Sequence, residues 1–187
     1  MNDLQHGHGT ETWTDTSTFT GEYQNGAKSG QGTYLWTDGC TYKGGWLNNK
    51  IYGEGTYNWP DGRKYIGGWL NNSMHGFGVY TWEDGRSYEG NYKNDKKSGY
   101  GIYRWADGRR YEGFWRKGKQ WGKGKYLLAN GTFKVGIWEE GKRKVWLEGV
   151  QEVDWEEEKM NAEKQEEKDG SEEKEDDKEG IKEDFVI

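Results

Sequence analysis

Small or aromatic residues recur at every second position through most of this chain. From Tyr42 to Trp46 they are Tyr42, Gly44 and Trp46, and from Gly53 to Trp59 they are Gly53, Gly55, Tyr57 and Trp59. A period of two is that of a strand with one aromatic face. Between such runs stand turn residues, as in Pro60-Asp61-Gly62, so each pair of runs reads as a hairpin. The pattern returns every 23 residues. Gly53-Glu54-Gly55-Thr56-Tyr57-Asn58-Trp59 reappears as Gly76-Phe77-Gly78-Val79-Tyr80-Thr81-Trp82. A fixed period of this length marks stacked units, and successive hairpins predict an all-β, elongated, single-layer antiparallel meander.

Parity sets the expected register. Trp59 and Tyr65 must share a face, so the loop between them is a three-residue type I turn ending in a left-handed glycine, Gly62. It pairs Tyr57 with Tyr65. The other connection, Asn48 to Ile51, is read as a four-residue loop that pairs Trp46 with Gly53, Gly44 with Gly55 and Tyr42 with Tyr57. These pairings lay rows across the sheet. One is all tyrosine, from Tyr42 to Tyr126, and the next is all glycine, from Gly44 to Gly124. A third alternates Trp46, Gly53, Trp69, Gly76, Tyr92, Gly99, Trp115 and Gly122. A fourth sets Trp59, Trp82 and Trp105 beside Arg63, Arg86 and Arg109, in cation–π reach. The glycine row is expected to be a trough between aromatic walls. Thirteen strands would span roughly 60 Å.

Composition agrees with that picture. Only 30% of residues are apolar while 16% are aromatic, so the core must be built from Trp and Tyr. With 31 glycines and one proline, long helices are not expected in the repeats. The single cysteine, Cys40, forms no intrachain disulfide, which points to a cytoplasmic setting. No secretory leader, membrane-spanning run, myristoylation glycine or prenylation cysteine is visible. Charge divides the chain. Residues 1–150 carry a net +5 and residues 151–187 a net −11. The expected organisation is a flexible N-terminus (1–6), a repeat array (7–149) with five near-complete units between degenerate ends, and an acidic tail (150–187). The tail is disordered or partly helical, with a solvated helix between Val153 and Lys168.

The pattern YxGxW…GxGxYxWxDG resembles the MORN (membrane occupation and recognition nexus) repeat family over about residues 7–149. Departures are Phe19 for the first tyrosine, Tyr23 and Tyr92 for tryptophan, and a basic residue–His-Gly segment that keeps only His75. The resemblance implies a single-layer hairpin fold and roles in scaffolding, at membranes, or in cytoskeleton and cilia. It also implies, for some members, a partner helix bound along the groove. The acidic tail is similar to that of radial-spoke-head members.

No catalytic constellation is evident. His6, His8 and His75 have no Cys, Ser or Asp partner at a motif spacing, and the repeated aspartates are turn residues. Neither a metal site nor a cofactor is expected. Nucleic acid is not an expected partner, because the whole chain is acidic. The leading reading is a non-catalytic scaffold that binds a partner helix or extended segment. The groove residues would be Trp46, Tyr57, Tyr65, Trp69, Tyr80, Tyr88, Tyr92, Tyr103 and Trp115. The alternative is a peripheral membrane module for anionic lipids, phosphoinositides among them. It would use Arg109, Arg110, Arg116, Lys117, Lys119, Lys123 and Lys125, from a stretch with twelve basic and four acidic residues (104–144). The −11 tail would then compete by folding onto the basic units. On the reverse face, Ile66, Leu70, Phe77, Val79, Tyr100, Ile102 and Phe114 form an apolar patch that suggests a protein contact or homodimer seam. Phe185-Val186-Ile187 offers a terminal strand for a PDZ-type groove.

Overall fold

The computed structural model describes residues 4–149, 152–162 and 164. Thirteen strands form one open sheet in chain order. They are β1 (Gly7–Thr12), β2 (Thr18–Gln24), β3 (Ala27–Leu35), β4 (Thr41–Leu47), β5 (Lys50–Asn58), β6 (Lys64–Leu70), β7 (Ser73–Thr81), β8 (Ser87–Lys93), β9 (Lys96–Arg104), β10 (Arg110–Arg116), β11 (Lys119–Leu127), β12 (Phe133–Glu139) and β13 (Lys142–Leu147). Every neighbour is antiparallel. A short helix, α1, follows at residues 155–162. The terminal Phe185-Val186-Ile187 segment and most of the acidic tail lie outside the described residues.

The expected tyrosine and glycine rows are present. Tyr42 pairs with Tyr57, Tyr57 with Tyr65, and Tyr65 with Tyr80. Gly44 pairs with Gly55, Gly55 with Gly67, and Gly67 with Gly78. The Asp-Gly loops also form as expected. Trp59 N donates to Arg63 O at 2.9 Å and Gly62 N to Trp59 O at 3.2 Å, with Gly62 at φ 83°. The Asp61 carboxylate accepts from the Arg63 amide at 3.1 Å, which closes the turn.

The second connection differs from expectation. Asn48 and Asn49 have φ of 50° and 67°, both left-handed, and form a two-residue loop. Leu47 therefore pairs with Lys50, and Trp46 with Ile51 rather than Gly53. Asparagine tolerates this conformation, and a two-residue turn with both φ positive follows strand twist better than a four-residue loop. A register shift between Gly44 and Trp46 absorbs the surplus residues and restores Gly44 opposite Gly55. The turns also join successive units. Asn49 Oδ1 accepts from Lys28 N, Asn72 Oδ1 from Ile51 N, and Asp95 Oδ1 from Met74 N, each at 2.8 Å.

Candidate interaction site

The glycine row is not left open. The first aromatic ring of each unit packs against that row, Phe19 on Gly32, Tyr42 on Gly55, Tyr65 on Gly78, Tyr88 on Gly101 and Tyr111 on Gly124. The four tyrosines, Tyr42, Tyr65, Tyr88 and Tyr111, are fully buried. Their hydroxyls donate to the carbonyls of Gly45 (3.1 Å), Gly68 (3.0 Å), Asn91 (3.1 Å) and Phe114 (3.2 Å). Each ring is gripped edge-on from both sides. Tyr42 lies 5.5 Å from both Trp46 and Trp69, Tyr65 5.2 Å from Trp69 and Tyr92, and Tyr111 between Trp115 (5.5 Å) and Trp138 (5.0 Å). T-shaped pairs add stabilisation beyond the area they bury. This inner spine is the hydrophobic core. Burial raises the pKa of its tyrosines well above the ordinary phenol range.

A second rail runs beside it, nearer the Asp-Gly loops. It begins Trp13–Tyr34 (5.6 Å) and Tyr34–Trp36 (4.5 Å), then continues through Tyr57, Trp59, Tyr80, Trp82, Tyr103 and Trp105 to Tyr126. Successive centroids are 4.4 to 5.8 Å apart from Trp36 to Tyr126. The tryptophans of this outer ladder are half-buried, with one edge open to solvent.

The nine groove positions named from sequence divide between these rails. Trp46, Tyr65, Trp69, Tyr88, Tyr92 and Trp115 belong to the buried spine, and Tyr57, Tyr80 and Tyr103 to the ladder. The reachable aromatic edges are those of Trp36, Trp59, Trp82 and Trp105; the last three were expected only as partners of Arg63, Arg86 and Arg109, and Trp36 was not among the expected groove residues. Their signal was present in the GxGxYxW pattern, where tryptophan is the last residue before the turn and so overhangs the strand end.

Arginines fasten the ladder. Arg63, Arg86 and Arg109 stand 5.2, 5.2 and 5.6 Å over Trp59, Trp82 and Trp105. Each donates Nε to its turn aspartate at 2.7 Å. Each also donates Nη1 to the next unit's tyrosine, Tyr80 (3.4 Å), Tyr103 (3.4 Å) or Tyr126 (3.0 Å). The Arg109 amide and guanidinium hold Asp107 below the usual carboxylate range.

Lys97 occupies an aromatic box between the rails. Its Nζ lies 4.7 to 5.4 Å from the rings of Tyr103, Trp115, Tyr88 and Trp82. Burial lowers its pKa to about 8, with Arg86 contributing in the same direction. The positions one and two units earlier hold Met74 and Ile51, which pack in the same core. At Gln120, one unit later, a pocket of about 220 Å³ remains among Trp105, Tyr126, Trp138, Arg143 and Trp146.

The seven basic candidates do not form one bare surface. Arg109 is committed to the ladder, and Arg110 pairs with Glu112 at 2.7 Å. Arg116 stacks on Trp121 at 5.4 Å, and Lys125 on Phe133 at 4.3 Å. Lys119 pairs with Glu140, and Lys123 with Glu158 of α1. Lys117 lies in the turn after β10, with φ 50°. Among the described residues, no three His, Cys, Asp or Glu side chains converge as metal ligands, and no helix is long and apolar enough to cross a membrane.

No curated protein matches the chain. Among solved structures, the chain is similar to the SAS-4 (dCPAP) TCP domain of Drosophila melanogaster, in complex with a proline-rich motif of Ana2 (dSTIL). The identity is 13%, over 75% of this chain and 90% of that one, with a TM-score of 0.36. The MORN repeat family model matches residues 1–18, 19–41, 42–62, 65–85, 88–109 and 111–133. From the second match on, each starts on the inner ring of its unit, at Phe19, Tyr42, Tyr65, Tyr88 or Tyr111, so the matched unit is the spine-and-ladder hairpin. With six such units covering most of its length, the chain belongs to the MORN repeat family, whose repeats are protein- and membrane-interaction modules.

Proposed function

We propose that the chain is a non-catalytic scaffold that holds an extended segment of a partner protein along the outer ladder. The observation that carries this is the unbroken row of rings from Trp13 to Tyr126, in which the half-buried tryptophans rest on tyrosines, two of them (Tyr80 and Tyr103) buried, and are fixed in place by Arg63, Arg86 and Arg109. Aromatic rows with one open edge bind apolar segments at little entropic cost, because their rings are already ordered. The spacing favours an extended partner. One Tyr-Trp rung recurs every two strands, about 9.6 Å. A polyproline II segment advances about 9.3 Å per three-residue turn, so each turn meets one rung. An α-helix, at about 5.4 Å per turn, drifts out of step. Of the nine groove positions, Tyr57 is a proposed contact beside the ladder tryptophans, while the buried Tyr80 and Tyr103 and the six spine residues support the ladder from beneath.

The test is titration of the full chain with a peptide of four Pro-x-x turns, and with a scrambled peptide of equal composition. The expected result is binding of the periodic peptide, weakened at least tenfold by Trp59→Ser plus Trp82→Ser. Equal binding of both peptides, or no loss in the double variant with its sheet intact by circular dichroism, contradicts the reading. The anionic-lipid alternative rests on the density of basic residues between 104 and 144, most of which already have an acidic or aromatic partner. It is tested by sedimentation with anionic vesicles at low and high salt.

A further inference from the structure

On the reverse face of the sheet, the repeat is broken at two neighbouring places. The position that is Gly45 and Gly68 in earlier units is Phe114 in β10. The position that is Gln31 and Glu54 earlier is Phe77 and then Tyr100. Tyr100 and Phe114 face each other across β9 and β10, with rings 5.8 Å apart. Helix α1 sits on them. Trp155 lies 5.1 Å from Tyr100 and 6.3 Å from Phe114. Glu158 pairs with Lys123 of β11, and Lys159 Nζ stands 5.3 Å over Tyr100. Trp155, Glu158, Lys159 and Ala162 are spaced i, i+3, i+4 and i+7, one stripe of a helix. The other stripe, Glu156, Glu157, Met160 and Asn161, is exposed. The helix expected to be wholly solvated is therefore amphipathic and docked.

The fit is incomplete. Beside Ala162 a pocket of about 400 Å³ remains, bounded by Phe77, Asn91, Tyr100 and Ile102. The apolar surface continues past it to Phe77 and Ile66, which are 58% and 47% exposed.

We propose that this face is a helix-docking groove that α1 occupies in cis, and that it accepts a partner helix of defined chemistry. That helix carries a bulky aromatic residue, a carboxylate three positions later to meet Lys123, and a large aliphatic residue at the seventh position, where α1 has only Ala162. Filling the pocket favours the partner, while the tether favours α1 through its high effective concentration. The groove is thus self-occupied until a better-fitting helix displaces α1. This inference uses the face opposite the ladder and stands independently of it.

The experiment uses the full chain and a fluorescein-labelled peptide of residues 152–164 carrying Ala162→Leu. Fluorescence anisotropy is read for the wild-type chain and for Trp155→Ala, which lies outside the sheet and leaves it folded. The expected result is at least tenfold tighter peptide binding to Trp155→Ala than to wild type. Adding Lys123→Glu should then weaken that binding at least tenfold, and a peptide with native Ala162 should bind less tightly. A second cis variant, Glu158→Lys, should raise peptide affinity in the same direction. Equal affinity for wild type and Trp155→Ala, no binding to either, or indifference to Lys123→Glu overturns the proposal.

Discussion

Gly78→Ala is expected to destabilise the array by about 3 kcal/mol, an unusually large cost for adding one methyl group to a strand. A Cβ at Gly78 stands 2.5 Å from Cε2 and Cζ of the Tyr65 ring, closer than real contacts allow. The ring cannot yield, because Trp69 and Tyr92 hold it at 5.2 Å on both sides and its hydroxyl is bonded to Gly68 O. Either Tyr65 leaves the spine or the β6–β7 pair opens. The effect should reach beyond one unit, since each spine residue is shared between neighbours and stability in such arrays depends on contacts between adjacent units. Gly9→Ala is the control, because its Cβ would meet only Tyr23, at 4.0 Å. Urea unfolding should show a large fall in midpoint for Gly78→Ala and almost none for Gly9→Ala. Similar small shifts in both would mean that the glycine floor is not needed for ring packing.

Lys97→Met should stabilise the chain by about 2 kcal/mol at pH 7, because it removes a poorly hydrated ammonium and supplies the side chain that the neighbouring unit already uses at Met74. The four π-faces around Lys97 offset part of the desolvation cost, which limits the gain. The pH dependence carries the same information. The folded pKa, about 8, lies below the ordinary 10.5, so between these values the unfolded chain binds more protons. Stability is therefore lowest and flat below pH 8 and rises as pH increases towards 10.5. Above about pH 10 the spine tyrosines act in the opposite sense. Their pKa is raised by burial, so the unfolded chain loses phenol protons first and stability falls. Chemical unfolding from pH 7 to 11 should give a maximum between these limits in the wild type, and Lys97→Met should lose the rising limb. A rising limb that survives the substitution would assign it to another group.

Most of the fold was legible because its signals are periodic. Alternation identified strands, and the parity of Trp59 and Tyr65 required the three-residue loop that pairs Tyr57 with Tyr65. The Asn48-Asn49 turn was missed because parity alone allows either two or four residues there. What decides it is the left-handed tolerance of asparagine and a bulge at Gly45, neither of which alters the alternation. The interaction face was half legible. A glycine row flanked by tyrosines implies a trough, but whether the trough is empty depends on side-chain direction, which residue spacing does not encode. Once Tyr42, Tyr65, Tyr88 and Tyr111 lie in it, the exposed aromatic surface moves one row outward to Trp59, Trp82 and Trp105. The α1 docking site left a trace as well. Phe114 and Tyr100 depart from the repeat, and such departures are where a repetitive sheet can bind something specific.

The central claim is that each unit has an inner ring that builds the fold and an outer ring that is free to meet a partner. Hydroxyl-radical footprinting of the native chain, read residue by residue by mass spectrometry, measures this directly. Trp59, Trp82 and Trp105 should be modified much faster than Tyr42, Tyr65, Tyr88 and Tyr111 after correction for intrinsic reactivity, and the periodic Pro-x-x peptide should protect these ladder rings and none of the four spine tyrosines. Spine tyrosines that react as fast as the ladder tryptophans, or that are the residues protected by the peptide, would contradict the account and restore the open trough.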